Sequence, residues 1–162
     1  MNFRWMKAAA LSCAALLALA APAHAVNLLN KTITTFNTAA VTTPLQFLRG
    51  APPVLQLQAN FTYGSGGTSV DAYVQTTLDG GTTWIDIAEF SFTTTSGRKV
   101  VAIPTALGVP IVYTATDGSL AANTALSGLL GSQIRVKYTT VGTYATSTKL
   151  SIDAQSASPL QP

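Results

Sequence analysis

An all-β fold, an antiparallel β-sandwich or jelly roll of about six to eight strands with room for one short helix, follows from three observations. Threonine is the dominant polar residue, with 24 copies after residue 25 interleaved with Val, Ile, Leu, Phe and Tyr. A β-branched side chain fits a pleated surface better than a helix. Several runs alternate between apolar and polar residues, the period of a half-buried strand, and Gly-rich or Asp-Gly punctuation separates them.

Residues 1–25 read as a secretory signal. "MNFRWMK" carries two positive charges, an apolar run follows, and Ala23 and Ala25 supply the small residues of a cleavage site. The run is too short for a comfortable membrane span, so no transmembrane segment is expected once it is removed. The mature chain then starts at Val26. Residues 26–50 are expected as an extended N-terminal segment in which "NKTITTFNT" forms a short edge strand, 51–155 as the sandwich domain, and 156–162 as a flexible tail.

Within the domain, "VLQLQANFTY" (54–63) places Leu55, Leu57, Ala59, Phe61 and Tyr63 on one face, and "SVDAYVQTTL" (69–78) places Val70, Ala72, Val74, Thr76 and Leu78 there. "GSGG" (64–67) reads as a flexible hairpin loop between them, and "DGGTT" as a tight turn into "WIDIAEFSF". The period of that third run slips between Ile87 and Phe90, as one extra residue in a β-bulge would cause. "KVVAIP", "QIRVKYT" and "STKLSIDAQ" are further strands. Between 105 and 131, "GVPIVYTAT" suits a strand, and "DGSLAANTALSGLLG" suits a short helix capped by Asp117 or Ser119 and ended by Gly131, with a long loop as the competing reading.

Composition removes most chemistry. The only cysteine, Cys13, and the only histidine, His24, leave with the signal. The mature chain then has no disulfide, no thiolate and no imidazole, the commonest proton shuttle and metal ligand. Seven basic residues (Lys31, Arg49, Arg98, Lys99, Arg135, Lys137, Lys149) face six acidic ones (Asp71, Asp79, Asp86, Glu89, Asp117, Asp153), too balanced and too sparse for a nucleic-acid surface. No cofactor or metal is expected, and the chain is not expected to be an enzyme.

"TLDGGTTW" resembles the Asp-box turn of sialidase-type β-propellers through Thr77, Asp79, Gly81, Thr83 and Trp84. The resemblance covers about eight residues and implies a structural hairpin corner, with Asp79 bonding the turn and Gly80 or Gly81 taking positive φ. Trp84 is expected to pack inward. The order "VDAYVQTTLDGGTTWIDIAEFSFTT", "VYTATDGSLAANTALSGLLGSQIRVKYTTVGTYA", "TKLSIDAQ" is similar to small tailed-phage and prophage structural-module proteins, which implies a virion or assembly role. The N-terminal signal sets this chain apart from a subunit assembled in the cytoplasm.

Each remaining polar candidate has a plain rival. Asp79, Asp86 and Glu89 offer oxygen ligands for Ca²⁺ but fit turn bonding and solvated strand ends better. Asp86 and Glu89, three apart on a bulged strand, are expected to face opposite sides, against a glycosidase pair. Tyr73 sits on an outer face, and Tyr144 on a loop tip or in a buried corner. With Asp117 and Asn123 these are the candidate contacts for a ligand or partner. Arg98 and Lys99 read as a solvated turn, Arg135 and Lys137 as outward charges protecting a sheet edge. The expectation is a non-enzymatic subunit, virion-like or exported to the periplasm, cell surface or medium, that self-associates or joins other structural subunits. The alternative is a secreted module binding a glycan or surface.

Overall fold

The computed structural model describes residues 24–106, 109–145, 147–156 and 160–161. Ten strands follow one another: β1 (His24–Thr32), β2 (Asn37–Val41), β3 (Leu45–Phe47), β4 (Val54–Thr62), β5 (Ser69–Thr77), β6 (Ile85–Phe92), β7 (Gly97–Pro104), β8 (Gln133–Val141), β9 (Lys149–Ser156) and β10 (Leu160–Gln161). They make two antiparallel sheets. The four-stranded sheet runs β1-β9-β4-β7, and the six-stranded sheet runs β10-β3-β8-β5-β6 with β2 also on β8.

The alternating runs explain the layers. Leu55, Leu57, Ala59 and Phe61 of β4, Leu150, Ile152 and Ala154 of β9, Val70, Ala72 and Val74 of β5 and Ile134, Val136 and Tyr138 of β8 all belong to one buried hydrophobic core. Phe61 of one sheet stacks on Phe92 of the other with ring centroids 5.1 Å apart. Each buried side chain of this size contributes about 1.5–3 kcal/mol, so the period-two pattern fixes which face of each strand turns inward.

Several expectations are corrected. Residues 64–67 do not form a hairpin, because β4 and β5 belong to different sheets. The glycines serve a tight crossing instead: Gly67 has φ +59°, and a Cβ there would lie 2.0 Å from the Tyr144 ring. Residues 26–50 do not stand ahead of the domain. β1 pairs with β9, while β2 and β3 lie in line on β8. Between the last two, Pro44 lacks an N–H, and the Thr42 backbone and hydroxyl bond Val136 from both sides. In the C-terminal segment, Leu160 and Gln161 pair with β3. The signal expected over 1–25 lies outside the described residues apart from His24 and Ala25, which open β1.

Among the described residues there is no helix, and 109–132 contains no strand. The expected helix fails because the segment's amides are claimed elsewhere. Gly118, Ser119 and Leu120 donate to the Asp86 carboxylate, and Asn123 donates to Glu89. Gly118, Asn123 and Gly128 also have positive φ, which ends any helical run. The segment instead lies along the outer edge of β6: Asp86 N–H donates to Thr116, Glu89 N–H to Thr124, and Leu126 N–H to the Ile87 carbonyl. It thereby covers an edge that would otherwise be open.

Candidate functional site: a roofed polar face

The outer face of the six-stranded sheet gathers acidic and basic groups from three neighbouring strands. β5 presents Asp71, Tyr73 and Gln75, opposite Ser91, Glu89 and Asp86 of β6 on one side and Thr139, Lys137 and Arg135 of β8 on the other. The bulge foreseen in β6 is present. Val74 pairs with Ala88 and Gln75 with Asp86, leaving Ile87 as the extra residue. Its consequence for the carboxylates is the reverse of the expected one: the inserted residue brings Asp86 and Glu89 to the same face. Neither is a solvated strand end, with exposures of 0% and 3%.

The segment 109–132 roofs this face. Asp86 is the anchor. Its Oδ2 accepts from Gly118 at 2.8 Å, Ser119 at 3.1 Å and Leu120 at 3.2 Å, and its Oδ1 accepts from the Gln75 amide at 2.8 Å. Successive backbone N–H groups converging on one carboxylate form a concave anion site, filled here by the protein's own side chain. Gln75 also donates to Asp117 at 2.7 Å and accepts from Arg135 at 2.9 Å. Lys137 closes the chain with an ion pair to Asp117 at 2.9 Å, and Lys137 with Gln75 holds that carboxyl below its ordinary range. Among the described residues, no buried side-chain polar atom lacks a partner.

Arg135 and Lys137 are therefore not edge protection, since β8 lies inside its sheet between β5 and the β2–β3 line. Lys99 is not part of a solvated turn either. Its ammonium bonds the Ser91 carbonyl and the Asn123 side chain and lies 4.8 Å above the Phe92 ring. Arg98 donates to Asn60 at 2.7 Å.

The Asp79 turn joins β5 to β6. Asp79 accepts from the Thr77 hydroxyl at 2.8 Å, the Thr83 N–H at 2.9 Å and the Thr83 hydroxyl at 2.6 Å. These bonds, the Thr83 hydroxyl first, hold its carboxyl well below the usual range. Gly80 and Gly81 have φ +72° and +103°. Trp84 corrects the inward expectation: it is half-buried on the outer side, its indole donating to Gly81 at 3.1 Å and its ring 4.1 Å beneath the Arg135 guanidinium. That contact ties the turn to the polar face.

Of the four candidate contact residues, Tyr73 is half-buried on this face, where burial and then Asp71, Glu89 and Asp86 push its phenol up. Asp117 and Asn123 sit on the roof and bond the strands beneath, Asp117 through Gln75 and Asn123 through Ser91 and Glu89. Tyr144 is separate and buried, its hydroxyl donating to the Ser69 carbonyl at 2.7 Å, so it offers no loop-tip contact. Sequence reasoning passed over Gln75, the hub, although its outward phase on β5 is legible beside Asp71 and Tyr73.

The arrangement spends its charges on holding backbone in place. Among the described residues, no group of three or more His, Cys, Asp or Glu side chains is arranged to hold a metal ion, and no helix is long and apolar enough to cross a membrane. No protein-family model matches this chain, and no curated protein matches it in sequence.

Proposed function

We propose that the chain is a non-enzymatic structural or assembly subunit, of the exported-surface or virion kind, built as a β-sandwich and acting through protein–protein interfaces. One observation carries the reading. At the start of the roof segment, ahead of its hydrogen-bonded part, Val109, Ile111 and Val112 stand in solvent, exposed by 70, 53 and 98%. A contiguous exposed apolar run is unfavourable in a monomer and is removed by burial against a partner. β7, an edge strand of the four-stranded sheet, adds Val100, also 70% exposed.

Sedimentation velocity of the wild type beside an Ile111→Asp, Val112→Asp variant tests this. The wild type should form multimers at micromolar concentration, and the variant should sediment as a monomer with an unchanged melting temperature. A wild type that stays monomeric, or a variant that assembles equally well, rejects the proposal.

The second reading, a secreted glycan- or surface-binding module, draws on a shallow groove of about 470 Å³ across the outer face of the four-stranded sheet. Gln56, Gln58, Asp153 and Gln155 line it with donors and acceptors suited to sugar hydroxyls. Binding on a glycan array that a Gln56→Ala, Gln58→Ala variant abolishes would favour this reading over the first.

A further inference from the structure

β6 and β7 belong to different sheets and do not pair. Between them lies an open cleft of about 360 Å³ whose lining includes Glu89, Lys99 and Asn123. An amine, a carboxamide and a buried carboxyl thus meet at one place, contributed by β7, the roof and β6.

The contacts suit acyl transfer. Lys99 Nζ donates to Asn123 Oδ1, the oxygen bonded to the carboxamide carbon Cγ. The same Oδ1 accepts the Ser91 N–H at 3.2 Å, a backbone donor aimed where negative charge would develop if Cγ were attacked. Glu89 accepts the Asn123 backbone N–H and is nearly inaccessible to water. The Phe92 face, 4.8 Å from Nζ, walls one side.

We propose that Lys99 and Asn123 become joined by an intramolecular isopeptide bond, with Glu89 as the proton-transfer group. The Lys99 ammonium, which makes no direct ion pair with Glu89, gives a proton to its carboxylate through one water in the cleft they both line, and the freed amine adds to Asn123 Cγ, forming the Nζ–Cγ bond. The proton on Glu89 passes to Nδ2, the Cγ–Nδ2 bond breaks, and ammonia leaves. Glu89 then takes the remaining extra proton from Nζ. No oxidant, reductant or metal takes part, and the net change is loss of one ammonia.

Burial raises the affinity of Glu89 for a proton above that of an ordinary glutamate, as an acceptor from an ammonium requires. The chain's Lys137–Asp117 pair makes the contrast. That carboxyl is held ionised by Lys137 and Gln75, and a carboxylate resists nucleophilic addition, so the pair remains an ion pair. The new bond would fasten an edge strand of one sheet to the segment lying along the edge of the other, a covalent clamp across the seam.

The test is peptide mapping by mass spectrometry of the full chain, digested after unfolding. The wild type should yield one branched species joining the Lys99 and Asn123 peptides, lighter than their sum by about 17 Da, with cleavage after Lys99 blocked. Glu89→Gln should give only linear peptides, and so should Asn123→Asp, whose carboxylate would hold Lys99 in an ion pair as Asp117 holds Lys137. Wild-type digests containing only linear peptides, with Lys99 and Asn123 intact, would overturn the bond, and this reading needs no variant to fold. A Glu89→Gln chain that links as fully as the wild type would overturn the role given to Glu89.

Discussion

Asp86 shows how much one residue holds. Three roof amides and the Gln75 side chain converge on it. Asp86→Ala strands those donors under the roof and should destabilise the chain by about 3–5 kcal/mol in urea unfolding. Glu89 and Asp79 give opposite pH signatures. Burial raises the Glu89 value above 4.5, so the native chain binds that proton more tightly than the unfolded chain does. Its contribution is complete below about pH 4.5 and is lost as pH rises through the raised native value. Wild type should therefore lose stability relative to Glu89→Gln as pH climbs from acid to neutral, read from paired thermal melts. The Asp79 value is lowered from 3.8, so its contribution is present above that pH and is lost as pH falls. The melting gap between wild type and Asp79→Ala should be full at neutral pH and shrink in acid. Tyr144→Phe removes the bond to Ser69 and should cost about 1 kcal/mol, with no effect on assembly.

At the scale of elements, β4 to β9 were legible because each carries its own alternation, whereas β1, β3 and β10 were not foreseen and the edge strand expected in "NKTITTFNT" falls across the break between β1 and β2. Leu55 to Phe61 and Val70 to Val74 declare their inner faces without reference to anything distant. The bulge in β6 was legible for the same reason. Which strands share a sheet was not, because "GSGG" reads alike as a hairpin and as a crossing, and only the long-range pairing of β4 with β9 and of β5 with β8 decides it. The candidate site was half visible. Asp79, Gly80, Gly81 and Trp84 announce a turn, but the burial of Asp86 and Glu89 depends on a roof some thirty residues further on, whose Ala/Leu content suggests a helix. Gly131 illustrates the difficulty. It suggests a helix end, whereas a Cβ there would lie 1.7 Å from the Thr77 carbonyl oxygen. Gly131→Ala should therefore force the roof away from β5, seen as a lower melting temperature and faster amide exchange at 117–124.

For the whole molecule, the two outer faces differ in kind. One is roofed, with its charges paired internally, and the other is an open sheet of carboxamides beside an edge strand. With the charged face held in internal bonds, the apolar run at 109–112 and Val100 of β7 are the exposed surfaces that the proposed assembly would bury. Hydrogen exchange measured on the full chain at low and at high concentration tests that account most directly. Assembly through these surfaces predicts concentration-dependent protection at 109–113 and along β7, with the rest of the chain unchanged. Exchange at both places that is the same at every concentration would contradict it.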